Sequence, residues 1–219
     1  MRILFQNQWL KWLSVFVLAV LVLGGAYYYQ TMSLGKVQAA YTIASSTRFI
    51  SGNSDYLSRT PGSAPTSQRK FTLSFWAKRA NLGITTGLWE SNTAASTDLE
   101  YLYFNTANKL RFEVQVNGGS SYGIITDAVY RDPSAWLHIV LAVYTTLATA
   151  ADRQILYVNG VRQSITTLFS GEIPQNTDLE TNDNGSPNRF PGSSAAAGYF
   201  DGYISDAYMV DGQALTPTS

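Results

Sequence analysis

Between residues 71 and 168 the chain repeats one local pattern. A run of alternating apolar and polar residues is followed by a cluster drawn from Gly, Asn, Ser, Asp and Pro. Alternation puts every second side chain on one face, as in a strand half buried in a sheet. FTLSFWAKR (71–79) sets Phe71, Leu73, Phe75 and Ala77 against Thr72, Ser74, Trp76 and Lys78. ITTGLWES (84–91) reads as its neighbour across a turn at Ala80–Gly83. DLEYLYF (98–104) and KLRFEVQV (109–116) read as a hairpin closed at Asn105–Asn108, with Leu110, Phe112, Val114 and Val116 on one face. After Asn117-Gly118-Gly119, YGIITDAVY (122–130) reads as a further strand. The sharpest signal is RQILYVNGVRQSITTL (153–168), where Asn159-Gly160 supplies both left-handed positions of a type I′ turn.

WLHIVLAVY (136–144) breaks the alternation by being apolar on both faces, which predicts a central strand covered on both sides. A loop rich in Pro, Asn, Ser and Gly, roughly 170–196, leads to the last strand. There Phe200, Gly202 and Ile204 share one face, yet Ala207 and Met209, of opposite parity, also read as inward. A bulge near Ser205-Asp206 reconciles them, because one extra residue reverses the phase. Gly202 then allows a close backbone approach, and Asp211-Gly212 ends the strand in a turn. No segment after Tyr41 carries helical periodicity. Charged residues make up only 14% of the chain, fewer than surface helices need, so the reading is all-β: two packed antiparallel sheets.

The first forty residues are of another kind. WLSVFVLAVLVLGGAYYY (12–29) follows Arg2 and Lys11, and no charge returns before Lys36. Roughly 18 apolar residues are enough to cross a hydrocarbon core of ~30 Å as one helix. Aromatic residues stand at both edges, Trp9 and Trp12 before and Tyr27 to Tyr29 after. Residues 1–40 therefore read as an uncleaved signal anchor or as a signal peptide cut near Ala39, and 41–219 as one domain. Either way the domain is delivered outside the cytoplasm, membrane-anchored through residues 12–29 or secreted. Basic and acidic residues balance at 15 each; Arg2, Lys11 and Lys36 all lie in the leader, so the remainder has 12 against 15. A net charge of −3 there carries no nucleic-acid footprint.

Trp136-Leu137-His138-Ile139, then ILYVNGVRQ, then FDGYISDAYMVDGQAL resemble, in that order, the laminin-G-like members of the concanavalin A-like jelly-roll superfamily. The opening YTIASSTRFISGNSDYLSRTPGSAPTSQRKFTLSFWAKRANLG is similar to laminin-G-like proteins of marine phages, often tail-associated, and of uncultivated bacteria. The resemblance implies two antiparallel sheets of about a dozen strands in total, with ligands held by loops or by the concave face. Relatives usually continue beyond the segment matching ALTPTS, which suggests a truncated gene product. Phage relatives lack an anchor, so the expectation is a cell-envelope protein.

The superfamily includes glucanases, whose retaining chemistry needs two carboxyl groups about 5–5.5 Å apart. Asp98 and Glu100 have the alternate spacing, but the third acid of the glucanase strand is missing, so they read as solvent-facing acids at a strand start. His138 is the only histidine, which leaves no relay or His-rich metal site and predicts a half-buried structural role. Laminin-G-like domains often hold calcium at one rim through oxygen ligands, and Asp178, Asp183 and Asn184 are the candidates here, with Glu180 nearby. No other cofactor is implied. Trp89, Tyr122 and Tyr130, near loops, are candidate sugar-stacking rings. The expectation is a non-catalytic module binding a glycan or a cell-surface protein, with a glycoside hydrolase or lyase, or a structural spacer of a surface or phage-derived assembly, as alternatives.

Overall fold

The computed structural model describes residues 41–92, 98–116, 118–192 and 198–217. The predicted leader helix over 12–29 lies outside the described residues. Among those described, no helix is long and apolar enough to cross a membrane. Thirteen strands follow along the chain among the described residues. The first five are β1 (Thr47–Phe49), β2 (Leu57–Arg59), β3 (Lys70–Arg79), β4 (Thr86–Asn92) and β5 (Leu99–Phe104). Then come β6 (Leu110–Val116), β7 (Ser120–Thr126), β8 (Leu137–Tyr144) and β9 (Gln154–Val158). The last are β10 (Val161–Arg162), β11 (Ile165–Phe169), β12 (Asn188–Phe190) and β13 (Gly202–Asp211).

They form two antiparallel sheets, one in the order β1-β13-β3-β8-β9-β10 and the other β11-β7-β6-β5-β4-β12-β2. The apolar faces of the long strands turn inward. Phe71, Leu73, Phe75 and Ala77 of β3 join Leu110, Phe112 and Val114 of β6 in one buried cluster between the sheets. Each large side chain so buried contributes roughly 1.5–3 kcal/mol. Strand β8 is central, between β3 and β9. Its second face is buried too, with Val140 at 3% and Ala142 at 6% exposure.

The turns follow their residues. Asn159 (φ 51°) and Gly160 (φ 80°) both sit in the left-handed region, as a type I′ turn requires. The register of β13 on β3 shifts between Ser205 and Tyr208, and Asp206 (φ 47°) is the extra residue. Met209 beyond the bulge packs on the core, while Ala207 stays exposed. A Cβ on Gly202 would lie 2.1 Å from the Lys78 carbonyl oxygen, so β13 reaches β3 only with glycine there.

Several expectations are corrected. β4 is not the neighbour of β3: both edges of β3 are taken by β13 and β8, and β4 pairs with β5 and β12 in the opposite sheet. The loop at 170–196 contains β12, three residues hemmed by Pro187 and Pro191, too short to show alternation. Strand β7 ends at Thr126, not Tyr130, because the Thr126 hydroxyl accepts the Leu110 N–H and donates to the Ala128 carbonyl. The arm after Asn159-Gly160 divides, β10 staying in the six-stranded sheet and β11 crossing to β7.

Candidate functional site

The outer face of the seven-stranded sheet carries the densest polar array. Arg111, Glu113 and Gln115 alternate with the core residues of β6 and so point outward. Register places Arg189 opposite Glu90, Glu90 opposite Tyr101, and Tyr101 opposite Glu113, one row across four strands. In the next row Tyr103 faces Arg111. Tyr101 and Tyr103 form a small apolar cluster of their own, apart from the interior, with Leu99 against it.

The charges in this array are satisfied by one another. Arg189 Nη1 donates to Glu90 Oε1 at 2.9 Å and to Asn92 Oδ1 at 2.8 Å. Arg111 Nη2 lies 3.1 Å from Glu113 Oε2, and the Tyr103 hydroxyl donates to that same oxygen at 2.8 Å. The Arg111 guanidinium also lies 4.6 Å from the Phe169 ring centroid and 5.5 Å from that of Tyr103. Burial, reinforced by the Glu113 carboxylate, raises the Tyr103 hydroxyl above its ordinary pKa. Glu90 and Glu113 stand two strands apart, so their Cα atoms are roughly 10 Å from each other. Each carboxylate is already paired with a guanidinium.

The predicted acid pair behaves otherwise than expected. Glu100 does not face solvent. It is 1% exposed, and its carboxylate accepts the Glu180 N–H and, at 3.0 Å, the Thr181 N–H. Burial pushes its pKa up to about 7, partly offset by these donors. Asp98 and Asp183 both act electrostatically on Glu180, whose carboxylate accepts the Ser186 hydroxyl and is itself raised, chiefly by burial. Glu100 thus anchors the 178–186 loop to the sheet.

Two of the calcium candidates, Asp178 and Asp183, are taken by protein partners. Asp178 takes two bonds from Arg69, Nε at 2.6 Å and Nη2 at 3.0 Å. Asp183 accepts Gln68 Nε2 and the Gly185 N–H, while Asn184 is exposed in the turn between them. Among the described residues no group of three or more His, Cys, Asp or Glu is arranged to hold a metal ion. His138 is partly buried as predicted, stacked on Trp76 at 4.9 Å with Nε2 3.1 Å from the Ser74 hydroxyl, and burial lowers its pKa.

The three candidate rings do not share a site. Tyr130 packs edge-on to Phe104 at 5.9 Å, and its hydroxyl donates to Gln163 Oε1, a supporting role. Tyr122 leans on the core beside a pocket with Pro174 and Thr177. Trp89 points inward, its Nε1 donating to the Thr181 hydroxyl at 3.2 Å and its ring 6.0 Å from Phe190. Sequence reasoning missed the array on β5 and β6. Its signal was present in the outward parity of Arg111 and Glu113, but the partners Glu90 and Arg189 come from strands whose pairing no local pattern shows.

Comparison with known proteins agrees with this architecture. A laminin G family model, described as the concanavalin A-like lectin/glucanases superfamily, matches residues 51–219. No curated protein matches the chain. Among solved structures, the mouse laminin α1 chain domains LG4-5 are similar, with a TM-score of 0.57 at 11% identity. That match covers 83% of this chain and 46% of the laminin segment. The LG1-3 region of the laminin α2 chain gives 0.52 at 13% identity, covering 74% of this chain and 32% of the other. The CBM40 of Ruminococcus gnavus IT-sialidase, bound to α2,3 sialyllactose, gives 0.48 at 16% identity, over 74% and 94% of the respective chains. At such identities the two laminin likenesses speak to the fold alone. With the family model spanning most of the sandwich, the chain belongs to the laminin G group of the concanavalin A-like lectin/glucanases superfamily.

Proposed function

We propose that this chain is a non-catalytic recognition module that works outside the cytoplasm and binds a glycan, or the glycan-bearing surface of a protein, against the outer face of its seven-stranded sheet. The observation that carries the reading is the array of Tyr101, Tyr103, Arg111 and Glu113 on adjacent strands. A sugar offers hydroxyls to fixed donors and acceptors, and Arg111 and Glu113, each 19% exposed, hold such groups on rigid backbone beside the buried rings of Tyr101 and Tyr103. The mutual pairing of Glu90 with Arg189 and of Glu113 with Arg111 supports binding over hydrolysis, because a glycosidase keeps one carboxylic acid protonated for the leaving oxygen. Delivery across the membrane rests on the apolar run 12–29.

A glycan array probed with the full chain tests the reading. Binding to a defined glycan class is expected, with no cleavage product by mass spectrometry. Arg111→Ala should weaken that binding at least tenfold at a temperature where circular dichroism shows the fold intact. Release of cleaved sugar, or glycan binding indifferent to Arg111→Ala, would overturn it.

A further inference from the structure

A second site lies inside the sandwich, away from the array. Where β13 bulges and the two sheets part, a cavity of about 290 Å³ opens between β3 and β13 on one side and β2, β4 and β12 on the other. This is at the small end of ligand pockets, which run from about 300 to 1,000 Å³. Its walls are apolar: Leu73 and Phe75 from β3, Trp89 from β4, Phe190 from β12 and Met209 from β13. Phe75 and Phe190 meet edge to face at 5.1 Å, so the aromatic wall is fixed.

Polar side chains break this lining: Ser58 and Arg59 from β2, Asn188 from β12 and Tyr208 from β13. Asn188 is 8% exposed, and its Oδ1 is buried with no hydrogen-bond partner. That oxygen is an acceptor, so only a bound group that carries a donor, such as a hydroxyl, pairs with it. Arg59 is exposed in β2 and forms no salt bridge among the described residues. No acidic side chain lines the cavity, so the only formal charge there is positive. An apolar body and an unpaired guanidinium beside it are complementary to an apolar chain with an anionic head.

We propose that this cavity binds a small amphipathic carboxylate of the fatty-acid type, its apolar body between the sheets against Trp89 and Phe190 and its head group at Arg59. The site is independent of the glycan reading, since the sheet-face array points away from the interior. Bound carboxylate bridges β2 and β12 to β13, joining the two sheets where no backbone ladder does.

The test uses the full chain and ω-bromoundecanoate, whose bromine quenches nearby tryptophan. Saturable quenching is expected, and Trp89→Phe should remove the saturable part while leaving any contribution from the other tryptophans. Arg59→Glu, at an exposed position, should weaken ω-bromoundecanoate at least tenfold and change binding of the matching bromoundecanol by less than twofold. Asn188→Leu should weaken bromoundecanol, whose hydroxyl can donate to Oδ1, more than the carboxylate. Quenching unaffected by Trp89→Phe would overturn the location. Equal binding of acid and alcohol, with no response to Arg59→Glu, would overturn the carboxylate.

Discussion

At the scale of single residues, Glu100 shows how far tertiary context can move a side chain from its sequence reading. The alternation of β5 marks position 100 as one of a pair of acids, and acids at a strand start ordinarily meet water. Here the 178–186 loop folds over it, and the carboxylate exchanges water for two backbone N–H groups. Its pKa, raised to about 7 from an ordinary 4.5, means that the folded chain holds this proton more tightly than the unfolded one. The stabilisation is therefore full below about pH 4.5 and is lost as pH climbs through about 7, a change of roughly 3 kcal/mol. Urea midpoints should fall between pH 5 and pH 7.5. Glu100→Gln should stay within about 1 kcal/mol of the parent at pH 5 and should flatten the fall. A variant that keeps the full slope would mean another group carries it.

At the scale of elements, the strands that alternate over six or more residues were all legible, because burial of one face imposes period two on the sequence. The three-residue strands β1, β2 and β12 were not, since three positions cannot display a period. The bulge in β13 was legible for a related reason: Ile204 and Met209 have opposite parity, and only an inserted residue lets both face inward. Deleting Asp206 should therefore restore a continuous ladder and force a choice. Either Met209 turns to solvent and Tyr208 and Val210 are driven inward, or residues 207–211 detach. Both routes predict a loss of more than about 4 kcal/mol, seen as failure to give a cooperative thermal transition. Substitution by Ala at the same position keeps the residue count and should cost only about 1 kcal/mol, the penalty of a left-handed φ. If the deletion variant melts like the parent, the bulge does not set the phase.

At the scale of the whole molecule, one buried cluster draws on both sheets, with Phe71, Phe75 and Leu141 from one and Leu102, Phe112 and Ile124 from the other. Such a core gives neither sheet an interior of its own, so the two should unfold together. Phe112→Ala is expected to cost about 3–5 kcal/mol and to shift near-UV and far-UV circular dichroism transitions by the same amount. Separated transitions would mean the sheets are independent. The sequence by itself determined the two-layer β class, the tight turn at Asn159-Gly160, the burial of β8 and the bulge at Asp206, because each depends on the parity or backbone freedom of residues close along the chain. Only the tertiary structure decided that β4 leaves β3 for the opposite sheet, that Arg189 reaches Glu90, that Glu100 is roofed by a distant loop and that a cavity remains beside Asn188. Those features depend on which surfaces meet across gaps of up to about 150 residues, and a residue's own neighbours in sequence carry no record of that choice.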